Sequence, residues 1–174
     1  MRFSITDELP HPLDLVFPTQ RDKLEEFVDY LPNVEKIETV KREEEGDIVR
    51  LENHWRGAAT DVPKALRPFV NDEMLSWIDH AEWDASNHRC KWRIELGFLP
   101  GAIEAKGETS FREEDGETVI DITGDFIVHA DKLPGPSFVV KRLVPTIESF
   151  VVGFIQPNLR KNNAAVVEYI DDNL

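Results

Sequence analysis

Asp79 is the carboxylate whose position in this sequence most invites a chemical role. It lies in Trp77-Ile78-Asp79-His80-Ala81-Glu82-Trp83, where alternate positions read Trp77, Asp79, Ala81 and Trp83. Alternate side chains of an extended segment share one face, so this carboxylate sits between an indole and an alanine on an otherwise apolar surface. Such a placement is costly unless the group is paired or wet. Desolvation would raise its pKa toward the range of a general acid or base. Two structural roles compete with that one: a bond to an indole or backbone donor, or a bulge that turns the side chain outward. Asn53 and Thr109 are polar positions of the same kind, suited to hydrogen-bonding a ligand. Trp55, Trp77 and Trp92, with Phe126, Phe150 and Phe154, would offer flat apolar surface to that ligand. The plainer reading is that the four tryptophans, Trp83 included, fill a core.

Other chemistries find less support. His54, His80 and His88 invite a metal reading, and His80-Ala81-Glu82 resembles part of a zinc-deaminase signature. That chemistry needs additional thiolates, and Cys90 is the single cysteine. No metal site and no cofactor are expected. Gly97 and Gly101 bracket Pro100 without a phosphate-cradling pattern, and no Gly-x-Ser-x-Gly stretch is present. One cysteine also rules out an internal disulfide. A formal charge of −14 repels phosphate backbones and anionic lipid, so nucleic acid and membrane surfaces are poor partners. Residues 138–155 are the most apolar stretch, but Lys141, Arg142, Pro145 and Glu148 interrupt it as a membrane span. The N-terminus lacks a signal peptide's apolar core, and a cytoplasmic location is the expectation.

The elements that must position these residues follow from periodicity. A length of 174 residues, 41% hydrophobic and 31% charged, suits one domain over 1–174. Residues 2–7 alternate as a strand. Residues 14–31 carry apolar positions for one or two short helices, punctuated by Pro18. Six strands then follow over 34–44, 47–56, 75–85, 88–96, 103–113 and 118–129. The first two flank a Gly46 turn, the next two flank Ser86-Asn87, and the last two flank Asp115-Gly116. From the second of these six onward, one parity is apolar and the other charged, as in an antiparallel sheet covered on one side. Trp55, Trp77, Trp83 and Trp92 all take the apolar parity. His54 and His80 take the other. The cover is a helix from Ser137 onward, with Val140, Leu143, Val144, Ile147, Phe150, Val151, Phe154 and Ile155 at helical spacing. Pro145 should kink it or open a second helix, and Pro157 should break it. In the connection over 58–74, Leu66 and Phe69 could form a lid or a plug.

The order of elements, with Trp55-Arg56-Gly57, Glu73-Met74-Leu75-Ser76-Trp77, Cys90-Lys91-Trp92 and the run from Pro145 to Gly153, resembles the START-like (SRPBCC) superfamily, in particular a bacterial branch of it. The resemblance implies a helix-grip α+β fold: a curved seven-stranded antiparallel sheet wrapping a long C-terminal helix, with two short helices after the first strand. It also implies a pocket for a small hydrophobic ligand (lipid, sterol-like or aromatic) between sheet and helix. No universal catalytic motif comes with it. Binding or transport of such a ligand is therefore the first expectation. A polyketide cyclase/aromatase- or dehydratase-like enzyme using Asp79 as acid or base is the alternative.

Overall fold

The protein is described as a computed structural model over residues 1–61, 71–97, 100–133 and 135–174, excluding the side chains of Asp61, Leu143, Phe150, Val151, Val152, Phe154 and Ile155. The expectation for Leu66 and Phe69 lies outside these residues. Seven strands, β1 (Arg2–Leu9), β2 (Val34–Glu45), β3 (Ile48–Gly57), β4 (Ser76–Asp84), β5 (Arg89–Leu96), β6 (Ile103–Glu114) and β7 (Glu117–Val128), form one sheet. Their order is β1-β7-β6-β5-β4-β3-β2, and every neighbouring pair is antiparallel. Asp115 and Gly116 both have positive φ, 52° and 81°, which a tight two-residue hairpin turn of the primed type requires.

Between β1 and β2 lie an α-helix, α1 (Leu13–Asp22), and a 3₁₀ segment, Leu24–Tyr30. A second α-helix, α2, runs from Ser137 to Asn173. It continues through both Pro145 and Pro157, and α1 continues through Pro18. The expected break at Pro157 is therefore corrected, and Pro145 opens no second helix. A proline inside a helix removes one amide donor at a cost of about 3 kcal/mol, and packing can offset that. Val16 and Phe17 beside Pro18 are buried, as are Ala165, Val166, Tyr169 and Ile170 beyond Pro157.

The parity reading of the sheet holds. Val49, Leu51, Asn53, Ala81, Trp83, Cys90, Ala105, Thr109, Phe111, Ile120, Ile122 and Phe126 are buried on the inner face. The outer face carries cross-strand pairs such as Arg50–Glu82 at 2.8 Å and Arg89–Glu108 at 3.3 Å. Exposed pairs of this kind each contribute little.

The grip is uneven along its length. At one end α1 and the second half of α2 close over the sheet. Phe17 stands edge-on to Trp83 and Phe111 at 5.3 and 5.2 Å, and Phe27 meets Tyr169 at 5.7 Å. Asn163, buried on α2, donates from Nδ2 to Asp7 Oδ2 at 3.2 Å and so fixes the helix to β1. Replacing it by alanine should cost about 1–2 kcal/mol in a urea titration, and an unchanged midpoint would contradict this anchoring. At the other end the first described side chains of α2 are more exposed. Val140 is buried, but Phe138 is 71% exposed and Val139 is exposed as well. Among the described residues the apolar cluster there holds Ile103, Ala105 and Phe126, with Ile94, Leu96, Val128 and Ile147 against it.

Candidate functional site

The open end is where β3, β5 and β7 finish and where β4 and β6 begin. A cleft of about 600 Å³ lies there. It is lined by inward-parity Trp77, Ile94, Leu96 and Ile103 together with Ile78, Arg93, Glu95 and Glu104 of the opposite parity, and by Glu73, His129 and Lys132. Gly97 sets the mouth. Its N–H donates to Ser76 O at 2.8 Å, and a Cβ at this position would lie 1.9 Å from Glu73 O. No larger residue lets the 3₁₀ turn Asp72–Leu75 approach the end of β5 so closely.

Asp79 lies one inward-facing step beyond Trp77 on β4. It stands opposite Asn53 on β3 and opposite the wall residue Ile94 on β5. No register shift occurs on β4, so the outward bulge open to it in the sequence does not form. Asn53 Nδ2 donates to Asp79 Oδ2 at 3.2 Å, and Thr39 Oγ1 donates to Asn53 Oδ1 at 2.8 Å. The Thr39 N–H in turn donates to Glu25 Oε1 at 2.6 Å. Removal from water lifts the Asp79 pKa to about 6, against the lowering effects of the Asn53 bond and of His80. At neutral pH it is an ionised carboxylate kept at a cost.

The four tryptophans do different things. Trp83 belongs to the closed core. Trp92 donates from Nε1 to Thr109 Oγ1 at 3.2 Å and stacks on Phe3 at 6.2 Å. Trp55 and Trp77 stack on one another at 5.3 Å and 19° and remain half-buried. The Trp55 Nε1–H is buried with no hydrogen-bond partner among the described residues. Of the residues expected to bind a ligand, Asn53, Trp55, Trp77 and Asp79 form one contiguous group across β3 and β4. Trp92 and Thr109 pair with each other on β5 and β6. Phe126 is wholly buried within the open-end cluster. Phe150 and Phe154 lie in α2, but their side chains are outside the described set.

Three contributors were missed in the sequence. Thr39 orients Asn53, and Ile94 and Leu96 build the cleft wall. The signal for Thr39 was available: it shares inward parity with Ile37 and pairs with Asn53 in the β2–β3 register. His80 Nε2 lies 3.2 Å from Glu95 and His54 Nε2 lies 2.8 Å from Glu52, both on the outer face. No cluster of three or more His, Cys, Asp or Glu fit to hold a metal occurs among the described residues. Nor is any helix among them long and apolar enough to cross a membrane.

No family model matches the chain, and no curated protein does. Solved structures do. The aromatase/cyclase Zhui from Streptomyces sp. R1128 superposes with a TM-score of 0.64 at 16% identity, over 98% of this chain and 93% of its own. A START superfamily protein from Mycobacterium smegmatis gives 0.53 at 14%, over 99% of both chains. Norcoclaurine synthase from Thalictrum flavum, solved with dopamine and hydroxybenzaldehyde, gives 0.57 at 14%, over 100% of this chain and 88% of its own. This is the START-like helix-grip fold. The helix-grip likeness spans nearly the whole chain, and at these identities it carries the fold alone. Helix-grip neighbours include enzymes, so the architecture accommodates both ligand binding and catalysis.

Proposed function

We propose that this protein binds a small hydrophobic molecule, aromatic rather than purely aliphatic, in the open end of the grip. The observation that carries this reading is the half-buried Trp55–Trp77 stack beside a 600 Å³ cleft. Indole faces left uncovered on an inner surface are a stacking platform, and a concave apolar site with few polar groups is the usual form of a ligand pocket. The aromatase/cyclase and the norcoclaurine synthase complex support a ring-bearing ligand by analogy. The single buried thiol, its pKa pushed well up by burial, suits a reducing compartment such as the cytoplasm.

Titration with naphthalene, followed by tryptophan fluorescence quenching, tests the reading. Trp77→Ala should weaken binding at least tenfold, whereas Trp83→Phe, a change within the closed core, should leave it within about twofold. Saturable binding that ignores both substitutions, or no binding at all, would refute it.

A second reading has its own support in Asp79. A carboxyl whose pKa of about 6 sits close to neutrality can both hold and release a proton at working pH. Such a group next to stacked indoles suits a cyclisation or dehydration of a ring-bearing substrate. If a turnover is found, it should rise with a pKa near 6 and be lost in Asp79→Asn. A flat pH profile with an active Asp79→Asn would exclude the role.

A further inference from the structure

We propose that Asp79 and Trp55, on the inner face next to the cleft-lining residues Trp77 and Ile94, read a hydroxyl group on an otherwise apolar aromatic ligand, with Asp79 accepting its proton and Trp55 donating to its oxygen. This inference rests on the ring-binding reading above and adds the polar half of the ligand's chemistry.

The argument starts from hydrogen-bond direction. Thr39 has one hydroxyl proton and gives it to Asn53 Oδ1. The Asn53 amide presents its NH₂ side to residue 79, and the ionised carboxylate there, which only accepts, holds it in that direction. A chain with this direction demands an acceptor at position 79. Asp79 uses Oδ2 to meet that demand, and its second oxygen can accept from a ligand. An ionised carboxylate only accepts, so that ligand group must be a donor. The complementary need is on Trp55, whose Nε1–H is buried without a partner and can only donate. Trp55 and Asp79 are diagonal neighbours on the inner face, since Trp55 pairs with Trp77 and Asn53 pairs with Asp79. Diagonal side chains on a sheet are about 7 Å apart or less at Cβ. An acceptor-only carboxylate and an unmet donor at that spacing match a hydroxyl, which both donates and accepts. A carboxylate ligand meets repulsion from Asp79, and a bare hydrocarbon offers neither group a partner. A site built around such groups rejects the ligand that lacks them far more strongly than an apolar wall rejects an extra methylene.

The same chain sets a reversal test. In Asp79→Asn with the Thr39–Asn53 bond retained, the new amide oxygen takes the Asn53 N–H, which turns the new NH₂ toward the ligand. The pair then offers two donors and favours a carbonyl over a hydroxyl.

Calorimetric titration of naphthalene, 2-naphthol and 2-acetylnaphthalene at pH 7.5 separates the outcomes. The wild-type protein should bind 2-naphthol at least tenfold tighter than naphthalene. Asp79→Asn should lose that preference and bind 2-acetylnaphthalene at least fivefold tighter than 2-naphthol. Trp55→Phe, which keeps a ring but removes the donor, should reduce the naphthol-over-naphthalene preference to threefold or less. Equal wild-type affinities for naphthalene and 2-naphthol overturn the hydroxyl inference and leave ring binding standing. No binding of any of the three overturns both.

Discussion

Asp79→Asn should make this protein more stable at neutral pH, by about 2–3 kcal/mol, although it removes a hydrogen-bonded carboxylate from the interior. The pKa of Asp79 rises from 3.8 to about 6 on folding, chiefly because the group leaves water. Between those two values the folded chain holds a proton that the unfolded chain has released. Raising the pH through that window therefore favours unfolding. The stability that Asp79 contributes is fully present below pH 4, falls between pH 4 and 6, and is gone above 6. A shift of this size is worth about 3 kcal/mol, at 1.36 kcal/mol per unit. Asparagine has nearly the same shape, still accepts from Asn53 and never ionises. The variant and the wild type should thus be equally stable near pH 3.5 and diverge as pH rises to 7. Urea midpoints at a series of pH values read this directly, and the difference between the two proteins cancels every other titrating group. A variant no more stable at pH 7.5 than the wild type would show that the carboxylate is adequately solvated or paired. A carboxylate kept where asparagine would be more stable points to a use for its charge, since natural chains tolerate such costs at functional sites.

Much of this was legible in the residues themselves. Five strands with one charged and one apolar parity define the covered side of the sheet, and that alone placed all four tryptophans and Asp79 on the inner face. Parity works because the side-chain period of a strand is two and admits no drift. It says nothing about distance from the cover. Trp83 and Trp55 share a parity, yet one is packed under Phe17 and the other is left half-buried, because α1 closes over one end of the sheet only. The prolines misled for a related reason. A local rule prices the missing amide of Pro157, but the burial of Val166, Tyr169 and Ile170 beyond it is a tertiary term that periodicity registers only weakly. Thr39 was overlooked because its role lies across the β2–β3 register, which a bulge between Thr39 and Lys41 complicates. The residues that set the direction of the hydrogen-bond chain are each ordinary taken singly, and only their pairing makes them a device.

Whether the grip leaves room inside depends on where Trp92 lies, and two glycines decide that. Gly107 on β6 and Gly124 on β7 are direct cross-strand partners. A Cβ on Gly107 would come within 2.4 Å of Trp92 Cζ2 and 2.1 Å of Thr123 O, and one on Gly124 within 2.5 Å of the Phe3 ring and 2.8 Å of Trp92. The paired glycines thus form a shallow notch into which the indole lies flat, held by its bond to Thr109 and by its stack on Phe3. Gly107→Ala should therefore do two things at once. It should cost about 3 kcal/mol, because the added methyl meets a backbone oxygen that cannot swing aside, at the upper end of what overpacking usually costs. It should also lift Trp92 away from the sheet toward α2, reducing the space beside Ile94 and weakening naphthalene binding several-fold. Trp92→Leu in the Gly107→Ala background separates the effects: the smaller side chain should restore binding, while the clash with Thr123 O keeps stability low. Full stability in Gly107→Ala would mean that the notch does not hold the indole. Lost binding that Trp92→Leu fails to restore would mean that the indole is not what bounds the cavity.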